Sequence, residues 1–409
     1  MPETRSDARP IGVIVFGAEP LPETPNVGGV HPILRHALAL QSAGIDCIAV
    51  AGAPTDRVPA DPRGLWTLVP WTPDLESVPV LAVRADTTYH RQLLRRAATE
   101  LPTHGVTRFG SMTTAPHAAS IGSGARTIDA LLHDASPTDA TEPALLPEEF
   151  VLPARTADER HAASRSHLRS LRKATGGVFE RIYMRPISMH LTRMLMNTRV
   201  TPNAMTIVTF AHAVLAAALV CTDSRGLQIA GGLLHIWMRV VDCIDGELAR
   251  LRYQSSRFGE WLDSVCDGIG LALLVAAATY QAAKADPRLL PVGAVGVAAW
   301  MGVQLLQYRA AQLAGGAGNF QQIEWGHRAK TKTPIERFVG KVEMSLRIDA
   351  ISTYYGLAIA FGWFAPLVVA HTTVAVVAIV YFGAQVLKLA KRRSAEHNAN
   401  VQEAQEAHP

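Results

Sequence analysis

Cysteine and charge are both scarce in this 409-residue chain. Its four cysteines, Cys47, Cys221, Cys243 and Cys266, lack the short regular spacings of zinc ligands or of a disulfide framework. Charged residues make up 18% of the chain, against about a quarter in ordinary soluble domains. The cysteine spacing favours small-residue packing over a cysteine-based metal site, and the low charge argues against an ordinary soluble protein. A secretory leader is not expected either, because the first ten residues are polar and no long apolar run follows them.

Charged residues are scarce mainly in the second half of the chain. Stretches with little or no charge occupy 204–221, 226–241, 268–283, 289–308 and 350–387. A helix that crosses a bilayer needs about 20 apolar residues. As one helix, the last stretch would be about 57 Å long, so we expect two crossings there with a turn near Pro366–His371. The sequence thus predicts an all-α polytopic membrane domain of about six transmembrane helices.

Positive residues are unevenly distributed between the loops that join these stretches. Arg and Lys crowd the segment before the first stretch and the loops after the second, fourth and sixth crossings. The alternate loops hold only Arg225, or Lys284 with Arg288. Because positive loops stay on the cytoplasmic side, we expect a multi-pass protein of the cell membrane with both termini in the cytoplasm.

The first 150 residues have a different pattern. Strand-type apolar runs at Ile11–Phe16, Ile45–Val50 and Val78–Val83 are interleaved with helical patterns at 31–43 and 90–100. This alternation predicts a small cytosolic α/β domain. The expected division is 1–150 for this domain, 151–200 for a linker and an amphipathic juxtamembrane helix, 201–392 for the membrane domain and 393–409 for a polar tail.

The juxtamembrane segment 178–199 mixes apolar side chains with regularly placed arginines. This pattern predicts an amphipathic helix on the cytoplasmic face of the membrane, broken near Pro186. The alternative is a soluble helix packed on the amino-terminal domain.

Four aspartates stand close together in the segment DCIDGELARLRYQSSRFGEWLDSVCD at 242–267. Asp242 and Asp245 are three residues apart, and Asp263 and Asp267 are four apart, so on helices each pair lies on one face. The pairs flank a short polar loop between two predicted crossings, so a helical hairpin would gather four carboxylates near the membrane surface. Such carboxylates repel one another and need cations. Two Mg²⁺ ions could be held there and bridge a pyrophosphate.

The residues between the aspartates suit a phosphate ligand. Gly246 and Ala249 leave room for a ligand to approach the helix, and Arg250 offers a bidentate fork for phosphate. Two other interpretations remain open. The acids could be ordinary helix-end charges that face water or pair with arginines, or they could serve a cation transporter.

A family resemblance rests on these residues. The pattern D-x₂-D-G-x₂-A-R-x₈-G-x₃-D-x₃-D is matched in full from Asp242 to Asp267 and resembles the signature of the CDP-alcohol phosphotransferases. The segments TPNAMT (201–206) and RFGEWLDSVCD (257–267) are most similar to the inositol-phosphate branch that contains di-myo-inositol-phosphate-phosphate synthase. The resemblance covers roughly 150–390. It implies a six-helix fold, a homodimer in a lipid bilayer, Mg²⁺ or Mn²⁺ as cofactor and CMP as leaving group.

The resemblance also implies a role for each matching residue. Asp267 would contact metal and act as the base that takes the proton of the acceptor hydroxyl, although geometry alone does not identify the base. The implied metal ligands are Asp242, Asp245, Asp263 and Asp267, and the implied nucleotide-binding residues are Gly246, Ala249, Arg250 and Gly259.

The substrates are less closely defined by the sequence. The donor could be CDP-diacylglycerol or CDP-inositol, and the acceptor an alcohol or a phosphorylated alcohol; no nucleic acid is expected as a partner. The segment 333–337 resembles the Pro-x-Glu-Arg segment of inositol-phosphate-using relatives. Arg337, Lys341 and Arg347 could therefore hold an acceptor phosphate, or they could belong to a positive loop that contacts lipid headgroups.

Two segments of the amino-terminal domain are Val13–Gly17 and Val27–Gln41 (VGGVHPILRHALALQ). They resemble parts of a cytidylyltransferase, a nucleotidyltransferase fold that is fused to the membrane domain in some relatives. The loop GAEPLPETP lacks the usual glycine repeat and arginine, and Asn26 stands near the position of an expected lysine. A loop without these groups should not hold a triphosphate, so we expect a degenerate domain. The alternative is a bifunctional enzyme with an active cytidylyltransferase.

Overall fold

The structure is a computed structural model in which the chain divides into two compact units. Unit 1 comprises 1–172, 193–198 and 251–253, and unit 2 comprises 173–192, 199–250 and 254–409. The residues that the structure describes are 10–17, 26–72, 79–100, 106–109, 112–115, 140–141, 144–171, 177–313 and 348–406.

Unit 1 is built on a mixed β-sheet. Within the described residues, seven strands are hydrogen-bonded in the order β3-β2-β1-β4-β7-β6-β8, and β5 pairs with β9 in a separate antiparallel ribbon. The first four strands of the sheet run parallel to one another, whereas β7 is antiparallel to both of its neighbours. The elements are β1 (Ile11–Val15), α1 (Pro32–Ser42), β2 (Cys47–Ala51), β3 (Thr67–Pro70), β4 (Val80–Arg84), β5 (Thr87–Tyr89), α2 (Arg91–Thr99), β6 (Val106–Phe109), β7 (Met112–Ala115), β8 (Ala140–Thr141), β9 (Val151–Pro153) and α3 (Ala157–Ser170).

The core of unit 1 follows from the sequence periodicity. All five residues of β1 are buried, as expected for a parallel strand covered on both faces. Ile33, Ala37 and Leu40, which share one face of α1, lie in one apolar cluster with Ile14 of β1 and Ile48 of β2. The predicted α/β character of this region is therefore confirmed.

The described part of unit 2 consists of helices and short connections. Its elements are a π-helical turn (Glu180–Met184), α4 (Arg185–Leu195), α5 (Pro202–Val220), α6 (Arg225–Leu251), α7 (Arg257–Ala285), α8 (Leu289–Leu313), α9 (Ile348–Phe361) and α10 (Phe364–Glu406).

Among the described residues, five helices are long and apolar enough to cross a membrane. They are α5, α6, α7, α8 and the part of α10 from Phe364 to Ser394. The sixth predicted crossing corresponds to α9, whose 14 described residues are shorter than the roughly 20 that a crossing needs. The predicted multi-pass, all-α membrane region is confirmed.

The turn between α9 and α10 is not where the sequence suggested. The prediction of a turn near Pro366–His371 was wrong, because the chain turns at Gly362, which has a φ of 80°, and at Trp363. Pro366 lies in the first turn of α10, where its missing N–H has no helical partner to lose. His371 is buried inside α10, with Nδ1 2.8 Å from the hydroxyl of Tyr355.

The juxtamembrane segment buries several of its polar side chains. The π-helical turn ends just before Arg185 and Pro186, so the predicted irregularity near this proline takes the form of a widened turn. Ser188 and Thr192 are buried together with Arg185. The apolar side chains Ile182, Ile187 and Met194 are exposed on this segment.

Candidate active site

The two aspartate pairs lie at facing ends of α6 and α7. α6 carries Asp242 and Asp245 in its last turns, and α7 carries Asp263 and Asp267 in its first turns. α7 begins sharply because Ser256 caps it, its hydroxyl accepting the Gly259 N–H at 3.0 Å.

Three of the four aspartates form a cluster of carboxylate oxygens. Asp242, Asp245 and Asp263 each place one oxygen within 4.8 Å of the others. Asp245 is 8% exposed, and Asp242 and Asp263 are partly buried. Three converging carboxylates form the hard oxygen set that Mg²⁺ or Mn²⁺ takes. The residues present therefore fit a divalent cation.

Asp267 is held beside this cluster by an arginine that sequence reasoning missed. Arg239 Nη1 lies 2.5 Å from Asp267 Oδ1, and Arg239 Nη2 lies 3.2 Å from Asp242 Oδ2. One buried guanidinium thus joins the first aspartate of α6 to the last aspartate of α7. The fourth predicted ligand is close to the cluster, and its predicted contact with metal and its role as base remain predictions.

Asp245 is oriented from a third helix. Thr206 of α5 donates a hydrogen bond from Oγ1 to Asp245 Oδ2 at 2.6 Å, and the Gly246 N–H donates to Asp245 Oδ1. Thr206 is the last residue of the TPNAMT segment, whose Thr201 caps α5 by accepting the Ala204 N–H at 3.2 Å. The segment therefore starts the helix and brings a donor to the site one turn later.

The small residues of the predicted nucleotide site stand at close approaches. A methyl group added at Gly246 would lie 3.0 Å from Arg250 Nη1, so the guanidinium packs against that glycine. A methyl group at Gly259 would lie 3.0 Å from Asn203 Oδ1, at the approach of α7 to α5. Ala249 is partly buried next to Arg250.

A second charge in the aspartate segment was not assigned from the sequence. Glu247 is fully buried and accepts hydrogen bonds from Arg185 Nη1 at 2.8 Å, Ser188 Oγ at 2.7 Å and Thr192 Oγ1 at 2.6 Å. Arg185, Ser188 and Thr192 are three and four residues apart, so they lie on one face of a helix. This spacing is the feature of the sequence that indicates a shared polar face.

The predicted acceptor residues are not part of this geometry. Arg337, Lys341 and Arg347, with the whole segment 333–337, lie outside the described residues. Most of the loop GAEPLPETP in unit 1 also lies outside them.

Comparison with known proteins identifies the helical part of the chain. Residues 199–374 match the CDP-alcohol phosphatidyltransferase family. These residues form a CDP-alcohol phosphatidyltransferase domain. It contains all four aspartates of the site, and the resemblance inferred from their spacing is confirmed.

Curated relatives agree with the inositol-phosphate branch. A "Bifunctional IPC transferase and DIPP synthase" of Thermococcus kodakarensis is 38% identical over 124 residues, which are 29% of this chain and 28% of that protein. A protein of the same name from Aquifex aeolicus is 33% identical over 113 residues, 27% of this chain and 25% of that protein. The chain therefore matches about a quarter of the length of these relatives.

Two further similarities are more distant. The ceramide phosphoethanolamine synthase of Drosophila melanogaster is 30% identical over 99 residues, 22% of this chain and 25% of that protein. The crystal structure of phosphatidylinositol phosphate synthase from Mycobacterium tuberculosis, with CDP-DAG bound, is 20% identical. The alignment covers 49% of this chain and 94% of that protein's chain, with a TM-score of 0.35.

Proposed function

We propose that the protein is a membrane transferase that moves a substituted phosphate group from a CDP-alcohol to an alcohol acceptor and releases CMP. The observation that carries this proposal is the convergence of Asp242, Asp245 and Asp263 oxygens within 4.8 Å, inside a CDP-alcohol phosphatidyltransferase domain. The family and its curated relatives are phosphotransferases, and a phosphate-transfer reaction needs the charge compensation that such a cluster can organise.

In this proposal the three clustered aspartates would hold Mg²⁺ or Mn²⁺, two ions being expected, and Asp267 would complete the set. Bound divalent ions would neutralise the diphosphate of the donor and the charge that develops on the leaving CMP. Arg250, which packs against Gly246, would supply a fixed positive charge for the diphosphate. Gly246, Ala249 and Gly259 would leave space for the nucleotide.

Asp267 is proposed as the general base. Its carboxylate would take the proton of the acceptor hydroxyl as the hydroxyl oxygen attacks the β-phosphorus of the donor. The bond from that phosphorus to the bridging oxygen would break, and CMP would leave with the bridging oxygen. Arg239, 2.5 Å from Asp267 Oδ1, would fix the direction of the carboxylate during this transfer.

The names of the curated relatives favour inositol-containing substrates. CDP-inositol and CDP-diacylglycerol are the two proposed donors. Arg337, Lys341 and Arg347 are proposed to bind the phosphate of a phosphorylated acceptor, on the basis of residue type and sequence position.

The site and both termini are proposed to lie on the cytoplasmic side of the cell membrane, because the loops on that side carry the positive charge. A homodimer is proposed from the family resemblance alone.

Unit 1 is proposed to be a degenerate cytidylyltransferase domain with a structural or regulatory role. The parallel order of its first four strands supports the fold resemblance, and the loop sequence after β1 argues against triphosphate binding. Consumption of CTP by the full-length protein, with release of pyrophosphate, would support the bifunctional alternative and reject this interpretation.

The transferase activity can be tested directly. Purified protein would be incubated with Mg²⁺ and a panel of CDP-alcohols and alcohol acceptors, CMP would be measured, and the second product identified by mass. We expect Asp267→Asn to abolish CMP release while CDP-alcohol binding remains measurable. The matched control is Asp223→Asn, which removes an exposed pair with Lys284 and should not change the rate. Absence of CMP with every donor, or full turnover by Asp267→Asn, would reject the assignment.

A further inference from the structure

Glu247 is a buried charge that faces away from the aspartate cluster. It follows Asp245 by two residues, which on an α-helix is a rotation of about 200°. Glu247 is fully buried at that position. One face of α6 therefore carries the site, and the opposite face carries a carboxylate that no water reaches.

All three hydrogen-bond donors to Glu247 come from α4. Arg185 and Ser188 reach Oε1 at 2.8 and 2.7 Å, and Thr192 reaches Oε2 at 2.6 Å. Both oxygens of the carboxylate are therefore held, each from a different turn of α4. A carboxylate fixed at both oxygens by one charged and two neutral donors has little freedom to rotate.

The same arginine connects this contact to a further helix. Arg185 Nη2 lies 2.7 Å from Glu180 Oε1, and the Glu180 N–H donates to Asp349 Oδ2 of α9 at 3.3 Å. Tyr183 and Thr353 share a hydrogen bond of 2.9 Å between the juxtamembrane segment and α9. A methyl group at Gly177 would overlap with the Asp349 carboxylate, so the segment approaches α9 closely. The juxtamembrane segment thus holds α6 and α9 at the same time.

A buried ion pair contributes little net stability compared with an apolar pair of the same shape, but its geometry is restrictive. A carboxylate oxygen of α6 lies about 5–6 Å from the helix axis, so a rotation of α6 by about 20° would move the site oxygens by about 2 Å. Metal–ligand distances tolerate about 0.2 Å. The rotational setting of α6 therefore matters far more for the aspartates than for the apolar contacts of the helix.

We propose that Glu247 is a positioning residue that fixes the rotation of α6 through α4 and so sets the oxygens of Asp242 and Asp245 for a divalent cation. This inference rests on the proposed function, because its effect is defined at the aspartate site. Glu247 does not contact the substrate. Its effect reaches the site through the backbone of α6.

The test uses variants that conserve charge, because removal of a negative charge would by itself weaken cation binding. Glu247→Asp keeps the charge but is one methylene too short to keep all three hydrogen bonds. Arg185→Lys keeps the charge but replaces the planar fork. Binding of Mn²⁺ to the full-length purified protein would be titrated by electron paramagnetic resonance. We expect the dissociation constant to rise about tenfold in each variant, as for other changes behind metal ligands.

The matched control is Asp223→Glu, a charge-conserving change at an exposed ion pair, for which wild-type Mn²⁺ binding is expected. Thermal unfolding without Mn²⁺ would establish that each variant is folded at the titration temperature. If the variants at Glu247 and Arg185 do not fold, Ser188→Ala and Thr192→Val remove single donors and should raise the dissociation constant in the same direction. Wild-type Mn²⁺ affinity in the folded variants would overturn the proposal.

Failure of the proposed function would give a different result. In that case the wild-type protein would bind no Mn²⁺ at the aspartates or release no CMP. If the wild-type protein does both and folded Glu247→Asp does both equally well, only the positioning role of Glu247 is rejected.

Discussion

Thr206→Val removes one hydrogen bond to the site and leaves the shape of the side chain nearly unchanged. The hydroxyl of Thr206 donates to Asp245 Oδ2 at 2.6 Å, and both residues are buried, at 3% and 8% exposure. A hydrogen bond to a charged group contributes about 1.5–3 kcal/mol. Without it the Asp245 carboxylate keeps the Gly246 N–H on Oδ1 but has no donor on Oδ2, so it is less firmly oriented toward the cluster. If the transition state loses all of this stabilisation, the rate of CMP release falls by about 10- to 100-fold.

The control for this change lies one turn further along α5. Thr209 is also buried, and its hydroxyl has no hydrogen-bond partner within the described part of the chain. Thr209→Val should therefore leave the rate unchanged. The assay is the initial rate of CMP release at saturating CDP-alcohol, with Mg²⁺ varied. Equal rates for Thr206→Val and the wild type, or equal losses for the two valine variants, would refute the assignment of Thr206.

Three further outcomes follow from the structure. Gly246→Ala places a methyl group 3.0 Å from Arg250 Nη1, so we expect the KM for the CDP-alcohol to rise about tenfold. The control is Gly226→Ala on the same helix, where the nearest atom to the added methyl group is Ser224 Oγ at 3.9 Å, and it should leave the KM unchanged. An equal rise in the KM for both variants would contradict the role of Arg250. Mg²⁺ at about 100 times its dissociation constant should stabilise the protein by about 2.7 kcal/mol, seen as a rise in Tm that Asp245→Asn removes. Burial lowers the pKa of His36 from 6.5 to about 4. Between these pH values the unfolded chain therefore binds more protons than the folded chain. The stability that neutral His36 contributes is at most about 3 kcal/mol; it is complete above pH 6.5 and is lost as the pH falls toward 4. Hydrogen exchange in α1 between pH 7 and 5, corrected for its intrinsic rate, should show this loss in the wild type and less of it in His36→Leu; equal slopes would contradict it.

The parts of the fold that the sequence predicted are those with a local cause. Long uncharged stretches predict crossings because a bilayer excludes unpaired charge over a fixed thickness. The strand of Ile11–Val15 and the helix of Pro32–Ser42 were visible in runs and periodicity. The aspartate pairs were found because three- and four-residue spacings place side chains on one helix face.

The parts that were missed depend on contacts between distant segments. Thr206 and Asp245 are 39 residues apart, Arg239 and Asp267 are 28 apart, and Arg185 and Glu247 are 62 apart. No periodicity within one helix specifies which residue of another helix will face it. The turn at Gly362 was missed for a different reason, because the turn was expected near Pro366, which lies in the first turn of α10.

Interpretation of buried polar residues in the crossings also changes with the structure. His371 was expected in a turn and instead lies inside α10, where it shares a hydrogen bond with Tyr355. Arg239 lies within the predicted crossing 226–241, and it is the cation that links Asp242 and Asp267. In both cases the residue type was visible in the sequence, but its partner was not.

The position of a divalent cation tests the central claim most directly. Crystals of the full-length protein grown with Mn²⁺ and a CDP-alcohol would be measured at a wavelength where manganese scatters anomalously. We expect anomalous density among the carboxylates of Asp242, Asp245 and Asp263, with the diphosphate of the donor in contact with it. Density for the donor diphosphate elsewhere, or aspartate side chains turned toward lipid with no manganese among them, would contradict the account.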